Sequence, residues 1–124
     1  MKRALLVEDD SVTRAMIKKM IEGFEYDVTE AVNGKIAWEI LCSEESFDVV
    51  VTDIMMPDMD GRELLHLMRV DDRFFDLPVV IVSGELDREM LSRIANEYPE
   101  YTTFQQKPVS KADLYNAISS FESV

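Results

Sequence analysis

Short, valine-rich apolar runs alternate along the chain with longer stretches in which apolar residues recur every three or four positions. The runs Ala4–Val7, Tyr26–Thr29, Val49–Val51, Val79–Val82 and Thr102–Phe104 predict strands. Three of them are apolar on both faces, which suits parallel strands covered by helices on each side. Between the runs, Val12, Met16 and Met20, with Ala15, Ile17 and Ile21 beside them, predict a helix with a buried stripe. The same spacing returns in Ile36, Ile40 and Leu41, in Leu64, Leu65 and Met68, in Leu86, Met90 and Ile94, and in Leu114, Ile118 and Phe121.

The punctuation agrees with this division. Ser11 is placed to cap the first helix, Asn33-Gly34 breaks the chain before the second, and Ser110 with Asp113 forms a capping-box variant before the last. Pro57, Pro78, Pro99 and Pro108 all fall outside the predicted helix interiors, and the last helix is expected to run to about Phe121. Five β-α units in 124 residues leave no room for a linker or a second domain, so residues 1–124 are expected to form one. Right-handed crossovers between parallel strands imply an α/β, doubly wound fold, in which ligands bind at the carboxyl ends of the strands. Function is to be sought at that edge.

Composition narrows the function classes. A 47% hydrophobic and 31% charged chain is globular and long enough to bury its own core. Twenty-five acidic residues against 13 basic ones leave a net charge of -12, the wrong sign for direct contact with nucleic acid. The single Cys42 excludes an internal disulfide and, with His66 the one histidine, a Cys/His zinc cluster; a reducing, cytoplasmic setting is expected. Met1-Lys2-Arg3 is followed by too short an apolar run for a signal peptide, and no run approaches a membrane span, so no membrane association is expected.

The chemistry-bearing residues gather at the predicted strand ends. Glu8-Asp9-Asp10 follows the first strand directly and Asp53 follows the third, so adjacency of those strands would bring Glu8, Asp9 and Asp53 together. Three carboxylates about 5 Å apart repel by about 3 kcal/mol per pair at an effective dielectric of about 20, roughly 10 kcal/mol in all. A cation belongs among them, and an all-oxygen set selects a hard divalent ion, Mg²⁺ or Mn²⁺. Ser83 closes the fourth strand, and Lys107, followed by Pro108, closes the fifth. Carboxylates, a hydroxyl and an ammonium around one small volume suit phosphoryl chemistry, with a carboxylate as nucleophile and the other groups holding the phosphoryl oxygens.

The segments Val7-Glu8-Asp9-Asp10, Asp53-Ile54-Met55-Met56-Pro57-Asp58-Met59-Asp60-Gly61, Ser83-Gly84-Glu85 and Lys107-Pro108 resemble the motifs of the response-regulator receiver domain of two-component signalling. The resemblance covers essentially the whole chain, and its aspartate-to-glycine stretch is the most specific part. It implies a flavodoxin-like (βα)5 fold with strand order 2-1-3-4-5. It further implies that Asp53 accepts a phosphoryl group from a phosphohistidine on a sensor histidine kinase or histidine phosphotransfer protein. By the same resemblance Asp9, Asp53 and the Met55 carbonyl ligate Mg²⁺, with Glu8 acting through water, while Ser83 and Lys107 bind phosphoryl oxygens. Phe104 stands at the family's switch aromatic, and Met55 and Glu85 at the positions that tune the lifetime of the phosphoryl group. The implied module is a switch read by a downstream protein, with precedent for a phosphorylation-dependent dimer, and not a turnover enzyme.

Two departures from the family pattern stand out. The first acid is Glu8 where aspartate is commoner, and Asn96–Tyr101 lacks the small Gly-Ala turn often found before the fifth strand. Rival readings fare worse on the residues. An aspartyl phosphohydrolase resembling the haloacid dehalogenases needs D-x-D after the first strand, where this chain has Glu8. An EF-hand built on Asp58-Met59-Asp60-Gly61 would place Met56 and Leu67 at ligand positions. No glycine-rich nucleotide motif is present, and His66 reads as a helix-surface residue. The remaining alternative is a receiver-like scaffold that binds partners without being phosphorylated. Thr13, Arg14 and Lys18 on the first helix are candidates for kinase docking.

Overall fold

A computed structural model describes residues 1–43, 45–84 and 88–121. Strands and helices alternate as β1 (Lys2–Val7), α1 (Ser11–Glu22), β2 (Tyr26–Ala31), α2 (Gly34–Cys42), β3 (Val49–Asp53), α3 (Gly61–Arg69), β4 (Val79–Ser83), α4 (Arg88–Glu97), β5 (Thr102–Gln106) and α5 (Lys111–Ser119). The strands form one parallel sheet in the order β2-β1-β3-β4-β5, the order of the flavodoxin-like receiver fold. Each strand candidate read from the apolar runs lies within one of these strands, and every strand extends one or two residues further.

The pleat explains why the central runs are apolar throughout. Leu5, Val7, Val50 and Ile81 pack beneath α2, α3 and α4 with Leu41, Leu64, Leu65, Met68 and Ile94. Ala4, Leu6, Val51, Val80 and Val82 pack on the opposite face against Ile17 and Ile21 of α1 and Leu114 and Ile118 of α5. Alternate side chains of one strand therefore serve two cores, each large side chain contributing about 2 kcal/mol on leaving water. The edge strand β5 is only half-buried along most of its length.

Several helix expectations need correction. Asp10, not Ser11, caps α1, accepting from the Thr13 N–H. The buried positions of α1 are Ile17 and Ile21, whereas Val12 is 67% and Met16 56% exposed. The expected stripe is shifted by one position: Met16 lies exposed along a groove shared with Ile17, Lys107, Pro108 and Val109, and Met20 only partly packs against the core. In α2, Leu41 is buried but Ile36 lies at the surface, its place taken by Ala37. Leu86 lies outside the described residues. Helix α5 ends at Ser119, and its cap at Ser110 accepts from the Asp113 N–H as the spacing predicts.

Arg69 at the end of α3 fastens the far side of the fold. Its guanidinium donates to the carbonyls of Phe74, Leu77 and Tyr101 at 2.9–3.1 Å, tying the connection before β4 to the start of β5. Burial pushes its pKa down to about 10, so it stays charged throughout the physiological range. Among the described residues no helix is long and apolar enough to cross a membrane.

Candidate functional site

Strand register brings the polar residues together. Val7 pairs with Thr52 across β1 and β3, so Glu8 and Asp53 emerge side by side. Asp53 pairs with Val82, and Val82 with Gln105, which sets Ser83 one step and Lys107 two steps beyond Asp53 on the next two strands. The backbone N–H of Lys107 donates to the Ser83 carbonyl at 2.7 Å, extending the ladder past the end of β5. Glu8, Asp53 and Ser83 are buried, whereas Asp9 is exposed.

One carboxylate oxygen from each of Glu8, Asp9 and Asp53 lies within 4.8 Å of the others, a spacing that a single cation can bridge. The Lys107 ammonium sits at 2.7 Å from Glu8 Oε1 and 3.1 Å from Asp53 Oδ2. Asp53 Oδ1 accepts from the Ile54 N–H at 2.8 Å, so both oxygens of this side chain are held. Glu8 Oε2 is buried without a hydrogen-bond partner among the described residues. An orphaned carboxylate oxygen beside two further carboxylates is the electron-rich environment that a hard divalent ion satisfies, so the donor set fits Mg²⁺ or Mn²⁺.

The electrostatics follow from burial. Desolvation pushes the Glu8 carboxyl up to about 7, the Lys107 hydrogen bond opposing it and the neighbouring Asp53 adding to it. Burial pulls the Lys107 ammonium down, but its bonds to Glu8 and Asp53 outweigh that effect and raise it overall. The site thus contains one carboxyl poised near neutrality and a cation that neutralises only part of the cluster. Asp10 takes no part in it: its carboxylate accepts from the Thr13 backbone and hydroxyl at 2.8 and 2.6 Å, which hold its pKa below the usual range.

The neighbouring backbone is tightly fitted. Gly61 at the start of α3 donates to the Ile54 carbonyl at 2.8 Å, and a Cβ there would stand 2.3 Å from the Asp53 carbonyl oxygen. Only glycine permits this approach, which folds the loop between β3 and α3 back onto the strand carrying Asp53. On the other flank, Arg14 donates to the Glu8 carbonyl at 2.9 Å and pairs with Glu30, which Lys18 also reaches.

The remaining predicted residues are more dispersed. Met55 stands in the β3–α3 loop with its side chain 59% exposed. Phe104 pairs with Ile81 in the centre of β5, half-buried against the α2–α4 core. Glu85 lies outside the described residues. His66 is a surface residue of α3, as its sequence context suggests, and its Nδ1 is 2.5 Å from the Tyr98 hydroxyl. Sequence reasoning passed over Asn33 as more than a helix break. It is buried, with its amide nitrogen 3.2 Å from Asp58 in the β3–α3 loop. A helix-capping residue next to a glycine was the available signal.

Comparison with known proteins places this geometry. Residues 4–119 match the family described as the response regulator receiver domain. The two-component response regulator ORR5 of Oryza sativa is 37% identical over 110 residues, 89% of this chain and 81% of that protein. The chemotaxis protein CheY1 of Helicobacter pylori is 37% identical over 67% of this chain and 68% of its own. Among solved structures, a response regulator receiver domain protein from Clostridium thermocellum superposes with a TM-score of 0.87 at 25% identity, covering 98% of this chain and 94% of that one. The receiver domain of a Pseudomonas aeruginosa sensor histidine kinase, solved with a magnesium ion coordinated in its active-site cleft, gives a TM-score of 0.85 at 21% identity over 99% and 98% of the two chains. With a family match across nearly its full length and the fold of the family's solved members, this chain belongs to the response regulator receiver domains of two-component systems.

Proposed function

We propose that Asp53 is the phosphoacceptor of this receiver domain, taking a phosphoryl group from a phosphohistidine on a sensor histidine kinase or histidine phosphotransfer protein. The observation that carries the reading is the placement of Asp53 between an incompletely neutralised acid pair and the Lys107 ammonium. Asp9, Asp53 and the Met55 carbonyl would hold Mg²⁺, or Mn²⁺ in its place, with Glu8 acting through water. The bound ion supplies positive charge that lets an anionic phosphoryl group approach three carboxylates. The magnesium in the P. aeruginosa receiver domain supports this choice of ion.

An oxygen of Asp53 attacks phosphorus, the P–O bond forms as the P–N bond to the donor imidazole breaks, and the imidazole keeps the electron pair of that bond. Lys107, already 3.1 Å from Asp53, meets the incoming oxygens, and the Ser83 hydroxyl donates to another. A phosphoryl group carries about -1.5 to -2 charge, enough to draw Lys107 from Glu8 and Ser83 toward a new acceptor. Phe104, half-buried on β5, follows that rearrangement and alters the face formed by α4, β5 and α5, which a downstream protein reads. Met55 and Glu85 tune how long the phosphoryl group survives. The groove of Met16, Ile17, Met20, Pro108 and Val109 beside Lys107 offers an apolar seat for the phosphodonor. The domain acts as a switch and not as a turnover enzyme.

The test is the intact mass of the protein after treatment with acetyl phosphate, with and without Mg²⁺. One phosphoryl group, added only with Mg²⁺ and absent from Asp53→Asn, is the expected result. Labelling of Asp53→Asn as full as that of the wild type would remove Asp53 from its role. A wild-type chain left unlabelled, under conditions that label another receiver, would favour a scaffold that binds partners without phosphorylation.

A further inference from the structure

The side chain of Asn33 is only 8% exposed, and phosphoryl chemistry makes no use of it. Its Oδ1 accepts from the Ile36 N–H at 2.8 Å and so caps α2, while its Nδ2 donates to Asp58 Oδ2 at 3.2 Å. The next residue docks on the same segment: the Gly34 N–H donates to the Met59 carbonyl at 3.0 Å, and a Cβ on Gly34 would stand 2.5 Å from that oxygen. The start of α2 is therefore fastened to residues 58 and 59 of the β3–α3 loop.

That segment needs fastening. The Met59 N–H donates to the Pro57 carbonyl at 2.8 Å with Asp58 between them at φ 68°, a tight three-residue turn around a non-glycine residue in the left-handed region. Such a conformation is strained and persists only where surrounding contacts hold it. A second fixed point is the Gly61-to-Ile54 bond beside Asp53, and Met55 lies between the two. Capping alone does not call for asparagine, since serine or aspartate caps a helix equally well. A serine hydroxyl can also accept and donate, but its single oxygen, seated on the cap, cannot also stand where Asn33 Nδ2 meets Asp58; the separate oxygen and nitrogen of an amide reach both partners.

We infer that Asn33 is a positioning residue for metal loading: through Asp58 it holds the β3–α3 loop in the shape that presents the Met55 carbonyl beside Asp53. The inference rests on the phosphoacceptor reading above, because it takes the Met55 carbonyl as a ligand. Pre-organising a ligand loop removes the ordering cost that binding would otherwise carry, so loss of the tether weakens the ion's affinity without removing a ligand.

The experiment measures Mg²⁺ affinity by calorimetric titration, together with the urea stability of the metal-free protein, for Asn33→Ser, Asn33→Asp and the double variant Asn33→Asp/Asp58→Asn. Serine keeps the cap and loses the tether, so metal-free stability stays near that of the wild type while affinity falls about five-fold, the worth of one hydrogen bond. Aspartate keeps the cap and faces Asp58 with a like charge, weakening affinity about ten-fold or more. The double variant reverses the polarity of the same bond, the amide now at position 58 donating to the carboxylate now at position 33, and restores affinity to within about two-fold of the wild type. Asparagine tolerates the left-handed conformation at position 58. If Asn33→Ser fails to fold, the comparison of Asn33→Asp with the double variant carries the test alone. Equal affinity in Asn33→Ser and wild type, or a double variant no better than Asn33→Asp, would overturn the inference while leaving phosphorylation of Asp53 standing. A wild type that binds no Mg²⁺ would overturn both.

Discussion

Replacing Glu8 with glutamine should stabilise the metal-free protein while impairing its function. The carboxyl is buried with one oxygen unpartnered, and burial lifts its pKa from 4.5 to about 7. Between those values the native state retains a proton that the unfolded chain has released, so the native state binds more protons and stability falls as pH rises. Above about pH 7 the full penalty is present, about 3 kcal/mol. Glutamine does not titrate, and its carbonyl oxygen still accepts from Lys107, which now lies 2.7 Å from Glu8 Oε1. Urea denaturation in the presence of a chelator should therefore show the variant equal to wild type near pH 4.5 and more stable by about 3 kcal/mol at pH 8, a midpoint shift of about 1–2 M. Adding Mg²⁺ should then narrow or reverse the difference. The wild type gains about 2.7 kcal/mol at a hundred-fold excess over its dissociation constant, and the variant, short of one carboxylate, gains less. A variant no more stable than wild type at pH 8, or a difference that does not change with pH, would refute the reasoning.

Two further substitutions test the scaffold around the site. Gly61→Ala should destabilise the protein by about 1–3 kcal/mol in chemical denaturation and lower its Mg²⁺ affinity, since the new Cβ meets the Asp53 carbonyl at 2.3 Å and displaces the strand end that carries Asp53. Asp10→Ala removes the cap of α1 and should cost about 1 kcal/mol in the same assay. Its Mg²⁺ affinity should stay close to that of the wild type, because Asp10 is engaged with Thr13 and lies outside the acid cluster.

How much of this was legible beforehand depended on the range of the interaction concerned. The five strands and the two-sided burial of the central ones were visible because a strand enclosed between helix layers must be apolar at every position, and valine-rich runs announce that locally. The α3 stripe of Leu64, Leu65 and Met68 was read correctly for the same reason. In α1 a continuous apolar pattern offered two overlapping stripes, and only packing against the sheet selected Ile17 and Ile21 over Val12 and Met16. The cap at Asp10 was missed because Asp10 and Ser11 are both good caps, and the choice depends on where the chain leaves β1.

The site divides along the same line. Its residue types and their positions at strand ends were determined by the sequence itself, since parallel strands deliver the residues that follow them to one edge. The register that sets Glu8 beside Asp53, the reach of Lys107 to both, and the burial that lifts Glu8 toward neutrality are products of the tertiary structure. Asn33 makes the distinction plainest: its cap to Ile36 is three residues away and readable, while its bond to Asp58 spans 25 residues and exists only once β1 has brought the β2–α2 and β3–α3 loops onto one edge. Local chemistry is written in neighbouring residues. Contacts between distant segments, and the loss of solvent that alters their charge, arise only when the sheet assembles.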